Sequence, residues 1–320
     1  MDNDKNNNPV IAIVVPCYNE EPILNDTATQ LNKFIEHLVA NHKISNQSFI
    51  YFIDDGSIDR TWDIIHKLHI ESSRNKGLKL SRNVGHQNAL LAGLSSVQEK
   101  VDCVISMDAD LQDDISVIES MVEQFRKGFE IVYGVRRKRE SDAFLKKYTA
   151  LAFYKLMSFL GVDIIYNHAD YRLLSKRVVN YLNSFKEVNL FLRAMIPLIG
   201  FSSTKIYYDR KARVAGISKY PAKKMIAFAL NGITSFSITP LRYITIIGII
   251  IFITSCILSG WVLLLAMSNK SIPGWASTVL PIYFIGGVQL LSIGILGEYL
   301  GKIYIEVKAR PRYFKDIELF

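Results

Sequence analysis

The sequence predicts an α/β domain built on a mostly parallel sheet, followed by two long apolar helices. Short β-branched runs alternate with helical stretches as far as about Tyr208. Clusters of polar residues fall directly after the strand candidates, and beyond residue 240 the chain becomes apolar in two charge-free stretches. Strand and helix in alternation favour parallel strands covered by helices, and such sheets gather ligands at the carboxyl ends of their strands.

In chain order, VIAIVV (Val10 to Val15), SFIYFI (Ser48 to Ile53), VDCVISM (Val101 to Met107) and EIVYGV (Glu130 to Val135) are the strand candidates. Helix candidates lie between them at Leu24 to Ala40, Thr61 to Ile70, His86 to Val97 and Ile115 to Lys127. CYNEE follows the first strand, DDGSID the second and DADLQDD a later one, so charge collects where a parallel sheet exposes its ligand edge. Ser57 or Asp59 is the candidate N-cap of the helix at Thr61, and Asp113 or Asp114 that of the helix near Ile115.

Hydrophobic residues make up 49% of the chain, concentrated beyond residue 240, which points to a soluble body joined to a membrane-embedded part. Tyr243 to Met267 and Ile272 to Gly297 carry no charged residue. A bilayer core about 30 Å thick needs roughly 20 helical residues, so each can span it; the plain alternative is a pair of core helices. Only SNKS lies between them, which predicts an antiparallel hairpin. Lys219, Lys223, Lys224 and Arg242 precede the first stretch and Lys302, Lys308, Arg310 and Arg312 follow the second, against Lys270 alone in the connection. The positive-inside rule therefore predicts a multi-pass protein with both termini and the sheet domain cytoplasmic. MDNDKNNNPV lacks the features of a secretory signal, in keeping with that placement.

Ala222 to Ile238 has the apolar spacing of a helix lying at a membrane surface, or of an ordinary core helix. Small residues at Gly286, Gly287, Gly294, Gly297 and Gly301 suit either packing within the hairpin or homo-oligomerisation. The expected division is 1–220 for the α/β domain, 221–240 for the interfacial helix, 241–301 for the hairpin and 302–320 for a juxtamembrane tail. Cys17, Cys103 and Cys256 are odd in number and widely separated, and read as reduced packing residues. No nucleic-acid partner is expected.

Asp108 and Asp110 stand two apart beyond an apolar strand. An extended segment would place both carboxylates on one side, where they repel unless a hard divalent cation such as Mg²⁺ or Mn²⁺ joins them. The opposing reading is a chance DxD triplet beside a helix cap. His86 opens a helix and is a candidate phosphate neighbour. His37, His42, His66 and His69 read as surface residues.

VVPCYNEE, DDGSIDRT, SRNVGHQNA, MDADLQD, YGVRRKR, ADYRLLS, RVAGISKY and the terminal GILGEYLGKIYIEVKARP together resemble glycosyltransferase family 2, and within it the polyprenyl-phosphate glycosyltransferases. That resemblance implies a Rossmann-like GT-A domain acting on a nucleotide-sugar donor and a polyprenyl phosphate acceptor. It implies donor contacts from Pro16, Tyr18, Glu20, Phe52, Asp54, Asp108 and Ala109, a metal held by Asp108 and Asp110, and Gln112 near the sugar. Arg136, Arg213 and Lys219 match positions that contact phosphates, and Asp170 matches an acidic residue at the reaction centre. Inverting transfer of one hexose, with glucose from UDP-glucose as the expected donor, follows from the resemblance to the bactoprenol glucosyltransferases. GDP-mannose is the alternative donor. A processive polysaccharide synthase is disfavoured by the absence of a QxxRW motif, and a non-catalytic scaffold by the presence of Asp108, Asp110 and Asp170. Cys17, the Asp113–Asp114 pair and ADYR depart slightly from common family patterns.

Overall fold

A computed structural model describes residues 8–137, 168–187, 190–209, 239–267 and 275–320. They divide into two compact units. The first holds one eight-stranded sheet. Its strands are β1 (Ile11–Cys17), β2 (Phe49–Asp54), β3 (Asn75–Leu80), β4 (Cys103–Ser106), β5 (Ile131–Arg136), β6 (His168–Ser175), β7 (Ser203–Tyr208) and β8 (Lys315–Leu319). Across the sheet the order is β7-β5-β6-β4-β1-β2-β3-β8. β4, β1, β2 and β3 run parallel, as do β5 and β7, whereas β6 runs antiparallel to both its neighbours and β8 antiparallel to β3. The predicted α/β class, with a mostly parallel sheet, is the one observed.

Each helix of the parallel part covers the sheet because its apolar residues recur at helical spacing. α1 (Leu24–Ala40) buries Leu24, Ala28, Leu31, Ile35 and Leu38, and α2 (Thr61–Glu71) buries Ile65. α3 (His86–Val97) and α4 (Val117–Arg126) complete this part, matching the four predicted helices within two residues at each end. α5 (Lys176–Ser184) and α6 (Leu192–Leu198) follow β6. β1 and β2 are buried along their whole length, so their sequences read as unbroken apolar runs. Cys17 and Cys103 are buried and unpaired, as packing residues should be.

The second unit contains α7 (Thr239–Met267) and α8 (Trp275–Lys308). Both expected apolar stretches are thus helical. Among the described residues, one helical stretch, Phe284–Lys308, is long and apolar enough to cross a membrane, so the coarser expectation of an apolar helical region stands and the two-span hairpin is not established. A Cβ placed at Gly286, Gly287, Gly294, Gly297 or Gly301 would meet nothing within 4 Å; packing inside the hairpin does not use these glycines among the described residues. The candidate interfacial helix at 221–240, apart from its last two residues, lies outside the described residues, as do Arg213 and Lys219.

The division expected at the carboxyl end needs correction. Residues 302–320 are expected to form a juxtamembrane tail. α8 continues to Lys308, and Arg310–Phe320 belongs to the first unit, with β8 as the edge strand beyond β3. The hold on it is specific. Tyr51 donates its hydroxyl hydrogen to Glu318 at 2.8 Å, and the Phe320 ring lies 5.2 Å from that of Tyr51 with the Lys76 ammonium 4.6 Å above it. Ser81 N–H donates to the Phe314 carbonyl. β8 thereby replaces β3 as the edge of the sheet on this side.

Candidate active site

The carboxyl ends of β1, β2, β4 and β5 share an edge with the amino end of β6, because β6 runs the other way. The loops after β1 and β2 are fastened to each other. Asn19, held at a positive φ of 55°, accepts from Ile58 N–H through its side chain, while its own N–H donates to Ser57 Oγ. Glu20 N–H donates to Thr61 Oγ1, and Glu21 accepts from Arg60. Neither Ser57 nor Asp59 is the N-cap of α2, which is Arg60; Asp59, one residue before the cap, instead accepts from the N–H and hydroxyl of Thr61.

Asp54 and Asp55 end β2 and are both buried. Asp55 accepts from the N–H groups of Val84 and Gly85 at 2.7 and 3.0 Å, fixing the turn into α3. Asp54 accepts from Ser57 N–H with Oδ1, while its Oδ2 has no partner among the described residues. Burial raises the pKa of both carboxyls, making them weaker acids than usual. Gly56 follows at φ 65°, and a Cβ there would come within 2.5 Å of the Arg82 and Asn83 backbone; only glycine allows the two loops to approach so closely.

β4 ends at Ser106, and the chain turns at Ala109 and Asp110 rather than continuing as the extended segment the spacing predicts. The reversal toward α4 explains it. Leu111 adopts φ 47°, and Gln112 N–H donates to Asp110 Oδ1. Thr27 Oγ1 donates to the Ala109 carbonyl at 2.7 Å, so α1 braces the turn that presents both carboxylates. Ala109 and Gln112 are themselves buried.

Asp113 and Asp114 behave differently from each other. Asp114 accepts from Ser116 N–H in the turn before α4, whose N-cap is Ser116 rather than Asp113 or Asp114. Asp113 is buried and accepts from the Tyr208 hydroxyl at 2.6 Å and from Arg136 at 3.0 Å. Arg136, expected at a phosphate, is placed against Asp113 and Tyr208 in this structure. Burial works against its charge, but Asp113 and the Tyr208 oxygen push its pKa up. Phe52 also departs from expectation, because its ring is wholly buried in the core. Pro16 is buried at the end of β1, while Tyr18 is exposed in the loop beyond it.

Asp170 meets this cluster from β6. The Ser106 hydroxyl donates to the Asp170 carbonyl, joining the two strand ends. The Asp170 side chain, 11% exposed, is paired with Arg172 and with Arg193, whose Nη2 lies 3.0 Å from Oδ2 and Nε 3.3 Å from Oδ1. Burial would raise the Asp170 pKa; the two guanidinium groups overcome it and hold the carboxyl well below the usual range. Arg172 is only 1% exposed, and its Nη1 has no partner among the described residues. Asp108 is the opposite case. Burial raises its pKa, and the negative charges of Asp170, Asp113 and Asp110 add to that shift against the opposing influence of His86. The His86 ring bridges the two, with Nε2 3.7 Å from Asp108 Oδ1 and 3.8 Å from Asp170 Oδ2.

The structure thus brings together Asp54, Asp108, Asp110, Asp170 and His86 at neighbouring strand ends. Sequence reasoning missed Arg193: it lies in the ordinary-looking run LFLRAM, and its only signal is a lone cation in an apolar stretch. Among the described residues no cluster of three or more metal-ligating side chains occurs. Asp108 and Asp110 nonetheless fit a hard divalent ion. Mg²⁺ commonly takes one or two carboxylates and completes its shell with water and substrate phosphate oxygens, and the charge crowding on Asp108 is what such an ion relieves.

Residues 12–182 match the family model described as glycosyl transferase family 2. An uncharacterised glycosyltransferase of Bacillus subtilis, YkoT, is 50% identical, with 99% of this chain and 94% of that protein covered. The bactoprenol glucosyl transferase of Shigella phage SfX is 39% identical, covering 95% of this chain and 97% of its own. A prophage bactoprenol glucosyl transferase homolog of Escherichia coli K12 is 37% identical over 95% of this chain and 97% of its own.

Proposed function

The chain belongs to glycosyl transferase family 2, and on that premise we propose that it transfers one glucose from UDP-glucose to a polyprenyl phosphate, with inversion, at the cytoplasmic face of a membrane. The observation that carries the reading is the division of charge at the strand ends. Asp108 is crowded by negative charge and calls for a cation, while Asp170 is covered by two arginines and its surroundings call for an anion. A sugar diphosphate with its metal ion matches the first environment, and a phosphate monoester the second.

Asp108 and Asp110 would hold a divalent ion, Mg²⁺ or Mn²⁺, which would supply charge neutralisation to the donor diphosphate and its leaving group. Asp54 Oδ2, buried without a partner among the described residues, accepts from an N–H of the donor base. One acceptor phosphate oxygen forms the new bond to the anomeric carbon as the bond from that carbon to the UDP oxygen breaks, and the electron pair leaves with UDP. The second pKa of a phosphate monoester is about 6, so the nucleophile is already largely deprotonated at neutral pH. Asp170, held ionised and covered by Arg172 and Arg193, is therefore a positioning residue in this reaction.

The helices are compatible with the same reading. α7 and α8 lie between β7 and β8 in the chain, and if both span, the lysines and arginines that flank the apolar stretches favour a hairpin with both ends on the cytoplasmic side. The glycines of α8 offer a face on which a second copy can approach closely.

The test is an assay of the full chain in detergent with undecaprenyl phosphate and a panel of radiolabelled nucleotide sugars. A singly glucosylated lipid from UDP-glucose is the expected product. Preference for GDP-mannose would change the donor, polymer would favour a processive synthase, and no transfer from any donor would favour a scaffold.

A further inference from the structure

We propose that Thr27 and Tyr208 are positioning residues: their hydroxyls hold the loop that carries Asp108 and Asp110 at Ala109 and at Asp113, and so set its affinity for a divalent ion. This rests on the function proposed above and names the residues that shape its metal-carrying loop.

The loop needs support from outside. Between Ser106, where β4 ends, and Val117, where α4 begins, the chain forms neither helix nor strand. It passes through Leu111 at φ 47°, a conformation that a side-chain-bearing residue keeps only where its surroundings impose it. Asp108 and Asp110 also repel each other while no cation joins them. A loop of this kind holds its two carboxylates ready for an ion only if other elements fix it.

α1 supplies the first hold. The Thr27 hydroxyl lies 3.1 Å from the Ile23 carbonyl of its own helix, where a helical threonine ordinarily donates, yet its shorter contact, 2.7 Å, is to the carbonyl of Ala109. Ala109 is the residue between the two carboxylates. Both Thr27 and Ala109 are buried, so water is poorly placed to replace that bond.

β7 supplies the second. Tyr208 pairs with Arg136 of β5 through the sheet, and its hydroxyl donates to Asp113 at 2.6 Å. Tyr171 of β6 packs edge-on against the Tyr208 ring, 5.5 Å between centroids, and donates its own hydroxyl hydrogen to the Asp114 carbonyl at 3.0 Å. β5 makes room for both rings by carrying a glycine, because a Cβ at Gly134 would come within 2.8 Å of the Tyr171 carbonyl and 3.1 Å of the Tyr208 ring. The loop is thus tied to a helix near its start and to strand ends near its finish. Ligands fixed in this way before the ion arrives spare it the cost of ordering them.

The experiment uses the full chain in detergent with Thr27→Val and Tyr208→Phe, each of which removes one hydroxyl and keeps the side-chain shape. Hydrogen exchange of the amides from Asp108 to Ser116, read in chelator without substrates, is expected to quicken about five- to tenfold in each variant, the scale of one lost hydrogen bond. Exchange in β1 and β2 should be unchanged. Mn²⁺ binding in the presence of UDP should weaken about tenfold in each variant, and Thr27→Ser, which keeps the hydroxyl, should stay within about twofold of the unaltered chain. Should one of the two variants fail to fold, the other decides by the same readings. Mn²⁺ bound without any glucose transfer counts against the proposed function alone, since exchange and binding still decide the loop assignment. Exchange quickened equally in loop and strands, Mn²⁺ affinity unmoved in both variants, or Thr27→Ser as weak as Thr27→Val would overturn it.

Discussion

Asp108 and Asp170 are the same functional group at the same edge of one sheet, each within 3.8 Å of the His86 ring, yet their surroundings drive them in opposite directions. Asp108, its side chain 38% exposed, lies beside Asp110 and Asp113, so partial removal from water is compounded by like charge. Asp170 comes in on an antiparallel strand that also brings Arg172, and α6 adds Arg193. The difference teaches that secondary-structure direction assigns chemical roles here. Had β6 run parallel to β4, its amino end would lie at the far edge of the sheet. When neighbouring titratable groups are pushed apart in this way, their jobs usually differ.

The sharpest way to break the comparison is to neutralise each carboxylate separately. Asp108→Asn should lower transfer by about 10²–10³-fold or more, the scale set by loss of transition-state charge stabilisation, while thermal unfolding of the metal-free protein is unchanged or shifted upward because a crowded charge is gone. Asp170→Asn should lower transfer as well, but at a cost of about 3–5 kcal/mol in stability, since it leaves buried Arg172 without its carboxylate partner. Equal stability effects from the two substitutions would erase the distinction.

A pH series sharpens it. The folded-state pKa of Asp170 is depressed, so its contribution to stability is present above the unfolded value, about 3.9, and is lost as pH falls toward the folded one. The stability gap between the unaltered chain and Asp170→Asn should therefore close on acidification below about pH 4. For Asp108 the sign reverses. Its folded pKa is raised, so in metal-free protein the penalty develops as pH rises from the unfolded value through the folded one, and Asp108→Asn should gain most above that window. Calorimetric scans in chelator check both.

Smaller effects lie further from the pair. Gly56→Ala forces a Cβ against the Arg82 and Asn83 backbone at a positive φ, and should cost about 1–3 kcal/mol and weaken UDP-glucose binding. Glu318→Gln weakens one hydrogen bond to Tyr51 and should cost about 1 kcal/mol, read as a small fall in unfolding temperature with turnover intact.

Much of this was legible in the chain. The buried strands β1, β2 and β4 are unbroken apolar runs, and the four helices between β1 and β5 carry plain periodicity, so both elements and order could be read. β3 was not, because NKGLKL mixes lysines and a glycine into a strand near the sheet margin. β8 was hidden in a different way: KDIEL reads as a charged tail, and its pairing with β3 spans most of the chain, a relation no local pattern encodes. The same limit applies to the site. DAD announced itself through charge at a strand end, whereas Arg193 acquires meaning only when tertiary packing sets it on Asp170. The contacts of Arg136 with Asp113 and Tyr208 are hidden for the same reason, since nothing near it in sequence reveals them.

The most direct measurement is Mn²⁺ binding in the presence of UDP, followed by electron paramagnetic resonance on the full chain and on each carboxylate variant. Loss of the bound-ion signal in Asp108→Asn, with Asp170→Asn retaining it within a few-fold of the original affinity, is the result expected from one carboxylate serving the cation and the other the arginines. Retention in Asp108→Asn, or equal loss in both, would contradict it.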